Sequence, residues 1–247
     1  MTFIDHLFVI VFAVLYPIAG FIGFRRLLKR IENGASFNRG DLYRNTAINH
    51  WILFAFVLLL WGITERPWSW LGVELDFDRW FFVALGLTMA AIVALLVQVR
   101  RIATAEQKEL EQIKAQFGKM ALIIPQNGNE LVRFNLLSIT AGIVEEILWR
   151  GFLIWYLNQI MPLWTAALLS SIGFGLAHAY QGWAQLPKIT LVGTALAGLY
   201  ILSGSIWLPM LLHASVDILQ GRLAYEAIQR SQHTDNGIDG TAAQPAP

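Results

Sequence analysis

The chain has 247 residues, of which 56% are hydrophobic and only 14% are charged, with a formal net charge of +1. A soluble domain carries about 25% charged residues, so this composition indicates a protein that is surrounded largely by lipid. The near-zero net charge gives no case for nucleic-acid binding. The absence of cysteine excludes disulfides, thiolate metal sites and a cysteine nucleophile.

Seven apolar segments follow one another along the chain, and a helix of about 20 apolar residues can cross the hydrocarbon core of a bilayer. The segments cover roughly residues 7–24, 47–63, 80–99, 136–157, 163–180, 188–206 and 207–221. We therefore predict an all-α fold, a polytopic transmembrane helical bundle of about seven spans, with eight as the alternative. A short break from Gly204 to Pro209 separates the last two, and Pro209 suits the first turn of the seventh helix.

The Lys and Arg residues of the loops predict the orientation, because cytoplasmic loops carry an excess of them. The 25–46 loop contains six and the 100–130 loop five, whereas the 64–79 loop has only Arg66 and Arg79 beside four acidic residues. We predict an integral protein of the bacterial inner (plasma) membrane. Its N-terminus would lie outside and its C-terminus in the cytoplasm.

The chain divides into three predicted regions. Residues 1–130 form an N-terminal transmembrane region with cytoplasmic loops, in which residues 104–119 are expected to form a surface helix of mixed charge. Residues 131–221 contain the polar residues that lie inside spans. Residues 222–247 are expected to be a polar, disordered tail.

Few ionisable side chains lie well inside the predicted spans. They are Glu145, Glu146, Arg150, His178, His213 and Asp217. An ionisable group in hydrocarbon costs several kcal/mol, so it marks a functional site by default.

These polar residues follow a helical spacing. Glu146 and Arg150 are four residues apart, as are Phe174 and His178, and His213 and Asp217. Residues four apart share a helix face, so three helices each offer a stripe toward a common centre. Small residues that flank the stripes allow helix backbones to approach closely; they are Gly142, Gly173, Gly175 and Ala177.

Three motifs of a known family occur in this part of the chain. The run from Glu145 to Gly151 (EEILWRG) resembles the EExxxR motif of the CPBP family, also called Abi. The runs FGLAH, ending at His178, and HASVD, beginning at His213, resemble its FxxxH and HxxxN/HxxxD motifs. The family includes type II CAAX prenyl endopeptidases and bacteriocin-processing relatives. The resemblance implies an intramembrane endopeptidase whose catalytic region covers about residues 131–221.

The resemblance also implies the roles of the site residues. Glu145 and His178 would activate a water molecule, while His213 and Asp217 would bind the substrate carbonyl and its developing charge. Many family members have Asn at the position of Asp217. An ionised Asp would repel an oxyanion, so Asp217 would have to be protonated or would act by orienting His213.

The two adjacent carboxylates are expected to differ, because neighbouring residues point about 100° apart around a helix axis. Glu146 has Arg150 one turn later and should form an ion pair with it. Glu145 has no basic residue three or four positions away, so we expect it to lie in apolar surroundings without a charged partner. His50, at the start of the second predicted span, is expected at the membrane interface.

Metal dependence and substrate stay open at this point. The reaction would need no cofactor, or it would use a divalent metal such as Zn²⁺ held by Glu145, His178 and His213. The expected partners are the lipid bilayer and a membrane-associated protein or peptide. A prenylated CAAX protein, a bacteriocin leader and a sorting-tail peptide are all compatible with the sequence.

Two other kinds of protein are alternatives. Intramembrane Glu, His and Asp residues also build the proton relays of transporters, although the chain shows no paired broken spans that would favour a proton-coupled transporter. The second alternative is a non-catalytic immunity or binding protein that retains the same fold.

Overall fold

A computed structural model of the protein describes residues 1–102 and 104–239, and within these ranges it contains helices and no strand. The predicted all-α fold is therefore confirmed. The helices are α1 (Phe3–Glu32), α2 (Arg39–Ile63), α3 (Arg79–Ile102), α4 (Gln107–Phe117), α5 (Gly128–Glu146), α6 (Ile154–Asn158), α7 (Leu163–Ala177), α8 (Leu186–Ser203) and α9 (Trp207–Asp239).

Among the described residues, four helical segments are long and apolar enough to cross a membrane. They are α1, α2, α3 and the segment Trp183–Ser203, which contains α8. Helix α7 is apolar but shorter. Large apolar side chains such as Leu59, Phe82 and Leu191 point outward from these helices, which suits a surface that faces lipid rather than water. The predicted total of seven spans stays a prediction.

Helix α9 lies at the centre of the bundle, where it packs against α3, α4, α5 and α8. Helix α2 packs along α5, and α7 packs along α8. Helices α5 and α9 approach closely at Gly142 of α5, where an added Cβ would lie only 2.8 Å from the backbone nitrogen of Ala214 in α9. The missing side chain therefore allows the α9 backbone, and His213 with it, to lie directly against the end of α5.

A π-helical segment, Ile147–Leu153, connects α5 to α6 without a break. Such wide turns are rare, leave backbone groups without their usual helical partners and occur often at functional sites. Here the buried hydroxyl of Ser170 in α7 donates a hydrogen bond of 2.6 Å to the carbonyl of Trp149. Arg150 lies in the middle of this segment and projects into the bundle.

The first helix differs from the prediction at its N-terminal end. It begins at Phe3, where Thr2 and Asp5 form a reciprocal capping box. Asp5 lies outside the predicted first span, yet it is fully buried, and its carboxylate accepts hydrogen bonds of 2.8 and 2.7 Å from Arg66. The guanidinium of Arg66 in turn lies 4.5 Å from the ring centre of Trp155. The N-terminus is thus attached to the loop after α2.

The extent of the last helix also differs from the prediction. Gly204 adopts the left-handed conformation that ends α8 (φ 62°), and Pro209 lies in the first turn of α9 as predicted. Helix α9 then continues to Asp239, past the predicted end of the last span at residue 221. Its side chains at Leu223 and Ala227 are buried in a cluster with Leu110 of α4. The predicted tail boundary was therefore placed too early, and residues 240–247 lie outside the described part of the chain.

Candidate active site

The structure brings the six predicted site residues to one place inside the bundle. Glu145 and Glu146 end α5, and Arg150 follows in the π-helical segment. His178 lies immediately after the last residue of α7, and His213 and Asp217 lie one turn apart in α9.

Glu146 is the buried connection between α5 and α9. Its Oε1 atom accepts a hydrogen bond of 2.8 Å from Nη1 of Arg150 and lies 2.6 Å from Nδ1 of His213. Glu146 and Arg150 are 0% and 1% exposed, so the ion pair predicted from their spacing is formed without contact with solvent. Because Oε1 of Glu146 already accepts from the guanidinium of Arg150, we assign Nδ1 of His213 as the donor in the second contact.

Phe174 and Gly193 complete the surroundings of Arg150. The second guanidinium nitrogen, Nη2, donates to the carbonyl of Gly193 at 3.1 Å. The guanidinium carbon lies 4.5 Å from the ring centre of Phe174, which is a favourable cation–π distance. The same ring contacts His178 and His213, with ring centres at 4.6 and 5.8 Å. Phe174, the Phe of the FxxxH motif, therefore packs against Arg150 and both histidines.

The two oxygens of Glu145 have different surroundings. Oε1 lies 2.9 Å from Nε2 of His50, which belongs to α2. Oε2 is buried and has no hydrogen-bond partner within the described residues. It faces Nε2 of His178 at 3.9 Å and Nε2 of His213 at 4.0 Å. One oxygen is thus held in place, and the other points toward two imidazole nitrogens.

The orientation of His178 follows from the end of α7. The last four carbonyls of a helix lack partners within it, and Nδ1 of His178 donates a hydrogen bond of 2.8 Å to one of them, that of Phe174. A carbonyl only accepts hydrogen bonds, so the proton is on Nδ1. In the neutral ring Nε2 therefore carries the lone pair, and it is Nε2 that faces Glu145.

Asp217 is the most exposed member of the group, with 39% of its side chain accessible. Its Oδ2 atom lies 3.8 Å from Nε2 of His213, which is beyond hydrogen-bond range. Asp217 therefore does not orient His213 in this structure. The carboxylate that holds His213 is Glu146, on the opposite side of the ring.

Glu145 lies farther from His178 and His213 than the ligands of one zinc ion lie from each other. No group of three His, Asp or Glu side chains in the part of the chain that the structure describes could hold a metal ion. Ligands about 2.0–2.1 Å from one Zn²⁺ in a tetrahedral site lie about 3.3 Å from each other. The separations of His178 and His213 from Glu145 are larger, at 3.9 and 4.0 Å.

His50 is a site residue that the three motifs did not indicate. It was expected to be an interface residue, and it lies inside the bundle. It is 8% exposed, and it contacts Glu145 from a helix outside the three motifs. Glu145 was expected to lie in apolar surroundings without a partner. Its contact with His50 shows that this expectation is wrong. The only sequence signal for His50 was its position in an apolar stretch.

Comparison with known protein families points to the same part of the chain. Residues 127–219 match the family model described as type II CAAX prenyl endopeptidase Rce1-like. No curated protein matches the chain, and no solved structure does. The matched residues contain all three motifs, so the resemblance to the CPBP family is confirmed for this region. Together with the apolar helices, the match supports an integral membrane protein with CAAX-type protease activity.

Proposed function

We propose that this protein is a glutamate-type intramembrane endopeptidase, in which Glu145 and His178 activate a water molecule that hydrolyses a peptide bond. One observation carries the proposal. The buried Oε2 atom of Glu145 has no hydrogen-bond partner in the described residues, and it faces the Nε2 atoms of two histidines at about 4 Å. A carboxylate oxygen and an imidazole lone pair at this spacing suit one small polar molecule between them.

The separation of 3.9 Å between Oε2 of Glu145 and Nε2 of His178 is too long for a direct hydrogen bond. It allows a water molecule about 2.8 Å from each atom. In the reaction Glu145 accepts a proton as the water oxygen bonds to the substrate carbonyl carbon. The carbon–nitrogen bond then breaks, and the proton passes to the leaving amine. Such general acid–base catalysis contributes about 10²–10⁴-fold to a rate.

His213 and Asp217 would bind the substrate carbonyl oxygen, where negative charge develops. Nδ1 of His213 donates a hydrogen bond to Glu146. In the doubly protonated form of the ring, Nε2 also carries a proton and donates it to the substrate oxygen, while Glu146 balances the charge. Asp217 would act as a neutral acid whose hydroxyl donates a hydrogen bond, a role that an Asn amide at this position could also fill. One such donor contributes about 10²–10³-fold in other hydrolases.

The substrate would be a membrane-associated protein or peptide. The description of the matching family favours a prenylated C-terminal peptide, while bacteriocin leaders and sorting tails stay as alternatives. With the orientation predicted from the loop charges, the His178 end of α7 would lie on the cytoplasmic side. We therefore infer that the substrate enters from the cytoplasmic half of the membrane.

The test compares membrane peptides from cells that produce the wild-type protein, Glu145→Gln or the control Glu226→Gln. Glu226 pairs with Arg222 on a partly exposed face of α9, outside the site. The expected result is a set of cleavage products with wild type and Glu226→Gln that is absent with Glu145→Gln. Identical peptides with all three proteins would contradict the proposal and favour a transporter or a non-catalytic binding protein.

A further inference from the structure

His50 is the unexplained polar residue of the site. It lies in α2, outside residues 127–219 that match the family model. It is nevertheless almost fully buried, and it contacts the carboxylate at the centre of the proposed reaction. The proposed mechanism gives it no role.

Both ring nitrogens of His50 are engaged. Nδ1 lies 2.8 Å from the backbone carbonyl of Thr46, one turn earlier in α2. Nε2 lies 2.9 Å from Oε1 of Glu145. Because the carbonyl of Thr46 can only accept, Nδ1 carries a proton and donates it. The ring is thereby fixed along the helix with Nε2 directed at α5.

This geometry places one proton between His50 and Glu145. Either Nε2 donates to an ionised carboxylate, and the ring is an imidazolium, or Oε1 donates to Nε2, and both groups are neutral. The pair has zero net charge in both cases. A lone carboxylate inside the membrane is unfavourable, and the shared proton avoids that isolated charge.

We infer that His50 is a positioning residue for Glu145: it holds Oε1 and balances the carboxylate charge, so that Oε2 stays directed at His178 and His213. This inference rests on the proposed function. It means that the N-terminal region supplies part of the catalytic apparatus, although no family motif lies in it. A merely structural histidine would stabilise the contact between α2 and α5 without any effect on turnover in the folded protein.

The test compares two substitutions of His50. His50→Phe keeps a ring of similar size and removes both hydrogen bonds, whereas His50→Gln retains an N–H group that can reach Oε1 of Glu145. Displacement of a catalytic group by about 1 Å can cost about 10²-fold in rate. We expect His50→Phe to lower kcat by about that factor with little change in KM. His50→Gln should recover most of the loss.

Tyr43→Phe is the matched control. Tyr43 lies two turns earlier in α2, is buried, and donates a hydrogen bond of 2.6 Å to the carbonyl of Ile123, outside the site. Its substitution also removes one buried hydrogen bond of α2. We expect a lower melting temperature with the wild-type kcat. If His50→Phe behaves in the same way, the positioning role is wrong.

A thermal measurement without substrate separates this inference from the proposed function. His50→Phe leaves the Glu145 carboxylate buried without its partner, so the protein should melt at a lower temperature. Adding Glu145→Gln removes that isolated charge, so the double variant should melt above His50→Phe. A double variant that melts at or below the melting temperature of His50→Phe would overturn the pairing. Wild-type activity in Glu145→Gln would instead overturn the proposed function and leave the thermal result standing.

Discussion

Replacement of Glu146 tests how the interior of the bundle is held together. Glu146→Gln keeps the shape of the side chain but removes its charge, and it leaves the guanidinium of Arg150 buried without an anion. Removing one partner of a buried ion pair destabilises proteins by about 3–5 kcal/mol. The hydrogen bond from His213 to the same oxygen would weaken as well. We expect a loss in this range.

The assay is thermal unfolding in detergent. For a chain of this size, about 1 kcal/mol corresponds to about 2–4 °C, so Glu146→Gln should melt about 6–20 °C below the wild type. The control is the same change at the neighbouring position, Glu145→Gln. Its new amide can still pair with Nε2 of His50, so its melting temperature should stay close to that of the wild type.

A double substitution gives the sharper comparison. Glu146→Leu with Arg150→Met removes both charges and replaces them with apolar side chains of similar size. Buried ion pairs can often be replaced in this way at little cost. The double variant should therefore melt above Glu146→Gln, although it leaves the carbonyl of Gly193 without its donor. A double variant that melts below Glu146→Gln, or a Glu146→Gln protein that melts like the wild type, would refute this reasoning.

Three further predictions concern the site, the packing and the topology. Asp217→Asn should keep most of the turnover and Asp217→Ala should lose about 10²-fold; an inactive Asn variant in the peptide-cleavage assay would exclude the neutral-donor role. Gly142→Ala should lower the melting temperature by the equivalent of about 1–3 kcal/mol and reduce turnover, because its Cβ would lie 2.8 Å from the α9 backbone. The control Gly198→Ala, which has open space around it, should do neither. A reporter inserted in residues 104–119 should be cytoplasmic and one in 64–79 external, and the reverse pattern would contradict the predicted orientation.

The motif spacings predicted what lies along each helix. Residues four apart share a face whatever the surrounding fold, so the ion pair of Glu146 with Arg150 was foreseeable from the sequence. The contacts between helices were not, since they depend on packing and register that no spacing encodes. The 2.6 Å contact between Glu146 and His213 and the 2.9 Å contact between Glu145 and His50 both belong to this class.

The position of His50 illustrates a second limit. The sequence predicts that its segment begins at residue 47, because residues 39–46 are mostly polar. The helix in fact begins at Arg39, so His50 lies about 16 Å into it at about 1.5 Å per residue. An apolar run marks the part of a helix in contact with lipid or core, while the helix itself extends into polar sequence. The same reason explains the late end of α9 and the early start of α1.

The central claim is that Glu145 activates the water that cleaves the substrate. The most direct measurement is the rate of peptide-bond cleavage by purified Glu145→Gln in liposomes, on a substrate identified from the membrane-peptide comparison. Loss of a general base should lower the rate by about 10²–10⁴-fold, while the melting temperature stays close to that of the wild type. A folded Glu145→Gln protein that keeps more than about one tenth of the wild-type rate, where a loss of at least about 10²-fold is expected, would contradict the claim.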